Sequence, residues 1–300
     1  MSLNLPTKVT IIEVGPRDGL QNEQSFVDTE VKKNFIRQLA ASGIKEMEIT
    51  SFVSPKWVPQ MSDAAEIVQA APAGARSIVL APNRRGVDRV LDTASKAVAL
   101  FVGVSNTFNK KNINKPTKES MKELRPIISE LKKKDFFVRA CISTAFYCPY
   151  EGRIPEADTL SLCREFVEAG VDELSVADTI GMAVPTESFS LFSLIKKELP
   201  EPMVTAHFHD TRRTALANIF AALQAGIDRF DTSAGGLGGC PFAPGASGNV
   251  ATEDVVYMLH RMGIETGIDL NKLREAIDTI APAISRPIDT GYYQLTGNSD

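Results

Sequence analysis

Histidine is scarce in this chain, with three among 300 residues, and tryptophan occurs once. The four cysteines form no C-x-x-C pair, and this absence excludes the usual thiolate zinc motifs and predicts free thiols in a reducing compartment. A basic excess is missing as well. Because the formal net charge is −4, a nucleic-acid-binding surface is not expected.

Long hydrophobic runs are also absent. No stretch reaches the roughly 18 apolar residues that a membrane span needs, and the opening MSLNLPTKVT lacks the apolar segment of a signal peptide. We therefore expect a cytosolic protein with no membrane partner. What is present is a hydrophobic fraction of 43%, enough at this length to bury a substantial core.

Short β-branched and apolar runs alternate with helical patterns along the whole chain. Strict alternation predicts a parallel sheet, and eight units without a second domain predict a closed (β/α)8 barrel rather than a doubly wound open sheet, whose GxGxxG motif is missing after the first strand. We expect a single α/β TIM-barrel domain over residues 1–300, with the barrel at about 8–265 and a C-terminal helix and tail at 266–300. The predicted strands are residues 8–14, 45–52, 75–81, 97–104, 135–143, 172–177, 203–209 and 228–234.

Several helix boundaries are also marked in the sequence. Asp28 is a plausible N-cap for a helix that Gly43 ends, and a second helix is expected between Pro155 and Gly170. The helix after the eighth strand, at residues 252–263, is predicted to open with Thr252, and a last one to span 270–280.

Two of the three histidines lie together at the end of the seventh predicted strand. His207 and His209 are two positions apart, so both side chains point to the same face, here the mouth of the barrel. Two imidazoles on one face favour a divalent metal site, although a hydrogen-bonded core pair is the plain alternative. His260 stands alone in a helical segment and is expected to be a surface or satisfied core residue.

After the first strand, the sequence EVGPRDGLQNE holds Arg17 and Asp18 in a glycine- and proline-flanked turn. An aspartate beside two histidines makes a mixed nitrogen and oxygen ligand set, which suits Mg²⁺ or Mn²⁺. Arg17 would then be placed to stabilise an oxyanion. The alternative is a structural Arg–Asp pair that fixes the turn.

Three further charged residues fall in predicted strands or at their ends, namely Glu48, Arg139 and Asp178. Buried acids that converge on one mouth are candidates for acid–base chemistry, whereas the alternative is a capping or salt-bridging role. Arg139 can pair with such an acid or with a substrate carboxylate.

The loop after the eighth strand, AGGLGGCPFAPGASGN at residues 234–249, contains six glycines. Such a loop approaches a ligand closely or moves as a flap, although a flexible linker is the plainer interpretation. Within it, Cys240 is a candidate for proton transfer, and Asn249 for an amide-oxygen metal ligand.

Taken together, EVGPRDGLQNE, SFVSPKWVPQM, HFHD and GGLGGCPFAPGASGNVATEDVVYML resemble the 3-hydroxy-3-methylglutaryl-CoA (HMG-CoA) lyase family of metal-dependent TIM-barrel enzymes. The resemblance runs from about residue 8 to residue 285. It implies an acyl-CoA substrate, a Mg²⁺ or Mn²⁺ cofactor and a homodimer.

The resemblance also implies a role for each matching residue. Asp18, His207, His209 and Asn249 correspond to the metal ligands, Arg17 to the group that stabilises an enolate, and Cys240 to the flap cysteine. Glu48 and Asp178 correspond to supporting catalytic acids, and His207 or a nearby acid would act as the base. The expected substrate-binding set is Arg17, Gln21, Ser51, Asn112 in the KKNIN run at 110–114, Arg139, Ser175, Thr179, Arg212 and Arg213.

The implied reaction is a retro-Claisen cleavage of HMG-CoA to acetyl-CoA and acetoacetate. One stretch departs from the family pattern, because Arg212, Arg213 and Thr214 follow HFHDT where the family has something like Tyr-Gly-Gln. Two cations near a helix N-terminus oppose the helix dipole, so we expect an anionic partner, either a neighbouring carboxylate, a substrate carboxylate or a CoA phosphate. The alternative functions are a lyase for another tertiary 3-hydroxyacyl-CoA, such as citramalyl-CoA, and a non-catalytic metabolite-binding barrel.

Overall fold

Eight parallel strands close into a barrel in the computed structural model, which describes residues 5–239 and 248–296. The barrel strands are β1 (Thr10–Glu13), β2 (Glu46–Ser51), β3 (Arg76–Leu80), β4 (Ala97–Gly103), β5 (Phe137–Ser143), β8 (Glu173–Asp178), β9 (Met203–Phe208) and β10 (Arg229–Thr232). Around the barrel the order is β1, β10, β9, β8, β5, β4, β3, β2, and every neighbouring pair is parallel. The predicted α/β TIM barrel is confirmed.

Helices follow the barrel strands on the outside, as the alternating pattern predicts. Two short strands, β6 (Tyr147–Cys148) and β7 (Gly152–Arg153), form an antiparallel hairpin after β5 that the sequence did not predict. The helices are α1 (Thr29–Ala41), α2 (Ala64–Gln69), α3 (Arg84–Leu91), α4 (Asn106–Ile113), α5 (Thr117–Lys133), α6 (Glu156–Ala169), α7 (Pro185–Glu198), α8 (Ala215–Gln224), α9 (Thr252–Arg261), α10 (Leu270–Ile280) and α11 (Gly291–Thr296). None of the helices within the described ranges is long and apolar enough to cross a membrane.

The helix ends show why these segments begin and stop where they do. The Asp28 side chain accepts a hydrogen bond from the Glu30 amide at 2.8 Å, so it caps α1 as predicted. Gly170, at φ 96°, ends α6 in the left-handed region that glycine enters without strain. The helix α9 begins at Thr252, as predicted. Its N-cap residue is Ala251, and the Thr252 hydroxyl donates a hydrogen bond to the Glu13 carboxylate.

The barrel interior is divided between an apolar cluster and charged groups. The apolar cluster comes from β1, the turn after it, β3 and β4, and consists of Ile12, Val14, Ile78, Leu80, Ala97 and Ala99. A much larger core fills the space between the sheet and its surrounding helices. Because all eight barrel strands run parallel, their carboxyl ends meet at one rim, and the turns that follow β1, β9 and β10 are neighbours there.

Candidate metal centre

Asp18, His207 and His209 come together at this rim. Asp18 lies in a π-helical turn, Gly15–Gly19, directly after β1, while His207 belongs to β9 and His209 follows it. One ligand atom from each residue lies within 4.8 Å of the other two, and both histidines are buried. The structure therefore places the predicted ligands close enough to share one ion.

The histidine nitrogens fit a metal. His207 Nδ1 lies 3.1 Å from Asp231 Oδ2, so this contact orients the ring and leaves Nε2 for a ligand. His209 Nδ1 is buried and has no hydrogen-bond partner, although buried polar atoms in folded proteins are nearly always paired. A divalent ion would satisfy that orphaned nitrogen, and the mixed nitrogen and oxygen set suits Mg²⁺ or Mn²⁺.

Asn249 reaches the same place from the far side of the glycine-rich loop. Its backbone forms an isolated antiparallel bridge with His209, and its Nδ2 donates to Asp18 Oδ2 at 2.8 Å. The same nitrogen donates to the Leu237 carbonyl at 3.2 Å. Both amide protons are thus directed at acceptors, which leaves Oδ1 as the atom available to a cation.

The charges of the centre act on its titratable groups. Burial would raise the pKa of Asp18, but Arg17, both histidines and the Asn249 hydrogen bond together lower it to about 2. Burial and the neighbouring His207 lower the pKa of His209 to about 4. A charged carboxylate beside a neutral imidazole is the protonation state that metal binding requires.

Arg17 and Glu48 form a second assembly beside the ligands. Arg17 Nε donates to Glu48 Oε2 at 2.6 Å, and Arg17 Nη1 contacts Asp18 Oδ1. Glu48 is buried on β2, so Arg17 is held next to the predicted metal ligands. The sequence offered an oxyanion-binding arginine and a structural Arg–Asp pair as alternatives. The pair is present, and the oxyanion role of Arg17 stays a prediction.

Arg139 is paired with buried acids, one of the two alternatives that the sequence left open. The side chain has 0% exposure and its Nη2 binds both carboxylate oxygens of Asp231, which also accepts from Ser175 Oγ at 2.8 Å. Contact of Arg139 with the acyl group of a substrate stays a prediction. Ser175 is tied to the same carboxylate.

Asp231 itself was missed by the sequence reasoning. It joins Arg139, Ser175 and His207, and although burial opposes ionisation, the positive charges of Arg139 and His207 hold the pKa of Asp231 well below its usual range. The signal was present, since an aspartate in a strand buried on both faces is the same pattern that singled out Glu48.

Asp178, at the end of β8, is a predicted catalytic acid that also accepts hydrogen bonds from the backbone. Its carboxylate accepts from the Met182 amide at 3.0 Å and from the Ala183 amide at 2.9 Å, which shapes the loop after β8. Burial outweighs these bonds and raises the pKa of Asp178 to about 6. Its neighbour Thr179 accepts a hydrogen bond from the Thr144 amide at 2.7 Å.

Comparison with known proteins identifies the family. The HMGL-like family model matches residues 8–280. This chain belongs to the HMGL-like family. It is 44% identical to the human mitochondrial hydroxymethylglutaryl-CoA lyase over 295 residues, which cover 97% of this chain and 90% of the human protein.

Solved structures of other HMGL-like proteins superimpose closely. The Bacillus subtilis HMG-CoA lyase has a TM-score of 0.95 at 44% identity, covering 98% of this chain and 99% of the other. An Acinetobacter baumannii HMG-CoA lyase, solved with coenzyme A and 3-methylmalate, has a TM-score of 0.92 at 35% identity, covering 98% and 97%.

The two arginines that depart from the family pattern have partners inside this HMGL-like chain. Arg212 Nη1 donates to the carbonyls of Ile180 and Gly181 at 2.9 and 3.0 Å. Arg213 Nη1 lies 3.5 Å from Asp210 Oδ2, and Arg213 Nη2 lies 3.7 Å from Asp289 Oδ2. Most of the Arg213 side chain is exposed. The expected anionic partner of Arg213 is thus a pair of neighbouring carboxylates. The helix begins at Ala215, after both arginines.

The remaining predicted substrate-binding residues differ in placement. Ser51 Oγ and Gln21 Oε1 are buried atoms without hydrogen-bond partners, so both can receive a ligand. Asn112 is exposed, near the end of α4. Cys240 lies outside the described residues, and its role stays a prediction.

Proposed function

We propose that this chain is a divalent-metal-dependent lyase that cleaves HMG-CoA to acetyl-CoA and acetoacetate. The observation that supports this most strongly is the cluster of Asp18, His207 and His209 with Arg17 beside it, at the rim of a barrel 44% identical to HMG-CoA lyases over nearly its full length. Asp18, His207, His209 and Asn249 would hold the ion. When bound, Mg²⁺ or Mn²⁺ supplies Lewis acidity that lowers the pKa of the substrate's tertiary hydroxyl.

Side chains of the protein carry out the proton transfers and stabilise the negative charge. A base removes the hydroxyl proton, the carbon–carbon bond breaks, and its electron pair passes to the departing acetyl thioester as an enolate. Arg17, fixed by Glu48, is placed to stabilise that oxyanion. Protonation of the enolate carbon, which we assign to Cys240, completes acetyl-CoA.

The predicted base was His207 or a nearby acid, and the contacts of His207 support the choice of an acid. His207 has Nδ1 committed to Asp231 and Nε2 available to the metal, so it has no nitrogen left for proton transfer. Burial raises the pKa of Asp178 to about 6, which is close to the value that a general base needs near neutral pH. We therefore assign proton abstraction to Asp178.

The alternative substrate, citramalyl-CoA or a related tertiary 3-hydroxyacyl-CoA, rested on Arg212 and Arg213. Contacts within the protein now account for both guanidinium groups, so HMG-CoA is the preferred substrate. A non-catalytic barrel is disfavoured because the described ligands, Arg17 and both acids converge on one rim. That the chain acts as one domain, as a homodimer and in the cytosol stays a prediction.

The deciding experiment measures acetyl-CoA release from HMG-CoA by metal-stripped protein before and after addition of Mg²⁺ or Mn²⁺. We expect activity only with the metal, and kcat/KM higher for HMG-CoA than for citramalyl-CoA. His209→Ala should abolish turnover. The matched control is His260→Ala, whose exposed ring bonds only to Thr266 and whose loss should change nothing.

Metal-independent turnover would overturn the mechanism. A preference for citramalyl-CoA would transfer the assignment to that substrate, and inactivity of metal-loaded protein on all thioesters, with binding retained, would favour the non-catalytic barrel.

A further inference from the structure

A segment after α10 crosses the rim next to the metal centre. This segment, Ser285–Thr290, is called the C-terminal strap. At one end, the Ser285 amide and hydroxyl both donate to Glu23 Oε2, at 3.0 and 2.7 Å. At the other, Thr290 Oγ1 donates to Glu253 Oε1 at 2.5 Å. The strap is therefore anchored on both sides of the stretch it passes.

Between these anchors, Arg286 binds backbone carbonyls at the start of the glycine-rich loop. Its Nη2 donates to the Gly236 carbonyl and, at 3.0 Å, to the Gly238 carbonyl. One guanidinium thus binds the carbonyl oxygens of the two residues that flank Leu237. The Leu237 side chain is fully buried, so the middle of this turn is fixed by packing and its carbonyls by Arg286.

The carbonyl between the two that Arg286 holds is the one that orients Asn249. Leu237 O accepts from Asn249 Nδ2, the same nitrogen that donates to Asp18 Oδ2. If Leu237 O turned away, one of the two acceptors that direct the amide would be lost. The orientation that leaves Asn249 Oδ1 for a cation depends on that carbonyl.

The turn also lies directly against the Asn249 amide. Gly238 adopts φ +119°, and a Cβ built there would approach Asn249 Nδ2 to 2.8 Å. Gly235 and Gly236 have positive φ as well, so the turn contains three residues with little conformational restraint of their own. A restraint from outside the turn, such as Arg286, has most effect on a backbone of this kind.

We infer that Arg286 is a positioning residue for the metal ligand Asn249, acting through the carbonyls that flank Leu237. The inference rests on the proposed metal site. Groups that orient a metal ligand typically contribute about 10–100-fold to metal affinity. Arg286 contacts the turn that orients Asn249 and does not contact Asn249 itself. We therefore expect its loss to weaken Mn²⁺ binding by the lower figure, about tenfold.

The test is Mn²⁺ titration of the metal-stripped full chain, monitored by electron paramagnetic resonance. Arg286→Ala should raise the Kd about tenfold with a far-ultraviolet circular dichroism spectrum like that of the unchanged protein, and added guanidinium chloride at low millimolar concentration should restore part of the affinity. Arg286→Lys, which keeps one donor, should lie between. Arg164→Ala is the control, because Arg164 pairs with Glu198 on the outer helices, away from the rim.

A double-mutant cycle separates positioning from general stabilisation. In an Asn249→Ala background, Arg286→Ala should cost no further Mn²⁺ affinity, since the ligand it orients is gone. Additive losses, or equal affinity of Arg286→Ala and the unchanged protein, would overturn the inference. If the unchanged protein itself bound no Mn²⁺, the proposed metal site would fail instead. Should Arg286→Ala not fold, the cycle is run with Arg286→Lys.

Discussion

Two layers of charged side chains fill the barrel interior, and they are built differently. The lower layer lies at the first residues of three strands, where Arg229 bonds to Glu46 at 2.7 Å and to Glu173 at 3.3 Å. The upper layer contains Arg17, Glu48, Arg139 and Asp231 beneath and beside the metal ligands. Both layers use arginine–carboxylate pairs in the buried interior.

The difference is what each layer leaves unpaired. Among the described residues, the lower layer leaves one buried oxygen without a hydrogen bond, Glu173 Oε2. In and around the upper layer, unpaired buried atoms occur on Gln21, Ser51, Arg139 and His209. Because an unpaired buried polar atom costs free energy, a concentration of them at one rim indicates a place prepared for a ligand, whereas the lower layer mainly stabilises the barrel.

The largest expected effect is on activity, from Asp18→Asn in the upper layer. We expect turnover of HMG-CoA to fall at least about a thousandfold, because the ligand set loses its only charged oxygen donor and with it Lewis acidity of several kcal/mol. The free energy of unfolding should fall by about 2 kcal/mol, because the lowered pKa of Asp18 means that its negative charge stabilises the folded state. Urea unfolding and steady-state kinetics measure the two quantities. Undiminished turnover would contradict the assignment of the centre.

Arg229→Met should produce the opposite result in the lower layer. Removing the cation leaves Glu46 and Glu173 without compensation, so unfolding should cost about 3–5 kcal/mol less, while kcat of the folded fraction stays unchanged. Arg76→Met is the matched control, because Arg76 also pairs with Glu46 but is partly exposed, and should cost at most about 1 kcal/mol. Equal losses in both variants would refute the role of burial.

Glu13 shows what happens to a buried acid that lies outside both layers. It has only neutral donors, the amides of Gly15 and Ala234 and the hydroxyl of Thr252, and burial raises its pKa to about 8. The unfolded chain releases this proton near pH 4.5 and the folded chain retains it to about pH 8. Stability from this group is therefore fully present below pH 4.5 and is lost as the pH rises to 8.

Calorimetry at several pH values between 5 and 8 tests this prediction. The Tm of the unchanged protein should fall over that range, and Glu13→Gln should remove part of the fall. A smaller decline should remain, since burial also raises the pKa of Glu253 to about 7. Identical pH slopes in the two proteins would show that Glu13 does not retain its proton.

The smallest effect is expected at the outer edge of the upper layer, from Arg213→Gly. Arg213 has φ 58°, where a non-glycine residue is strained, but its contacts with the carboxylates of Asp210 and the exposed Asp289 offset part of that cost. We expect a change in unfolding free energy below about 1 kcal/mol and an unchanged ratio of kcat/KM for HMG-CoA over citramalyl-CoA. A changed ratio would restore the substrate role that the sequence suggested.

Much of the fold was predictable because a barrel strand is buried on both faces and therefore appears in the sequence as a continuous run of apolar residues. The eight runs match the eight barrel strands to within about two residues at most ends. The hairpin of β6 and β7 was not predictable, since two-residue strands leave no periodic pattern. The start of β5 was placed two residues early because the turn at Asp135, with φ 58°, precedes an apolar residue that resembles the strand.

The placement of a site residue was predictable only where its position along a strand determines which way its side chain points. His207, His209 and Asp18 follow from being polar residues at strand ends in a barrel. The depth of Arg139 depends on the register between strands, and the partners of Arg212 are backbone carbonyls, which no residue pattern marks. Both cases concern where a long side chain ends, which sequence spacing does not determine.

The bond between Asn249 and Asp18 spans 231 residues of chain. One proposed ligand follows the first strand and the other follows the last, so the proposed coordination set is complete only when the two ends of the sheet have met. On the proposed function, a cation would find all of its ligands only after nearly the whole chain has left the ribosome. Metal uptake would then report closure of the ring, and an added cation would stabilise the finished barrel over every open intermediate.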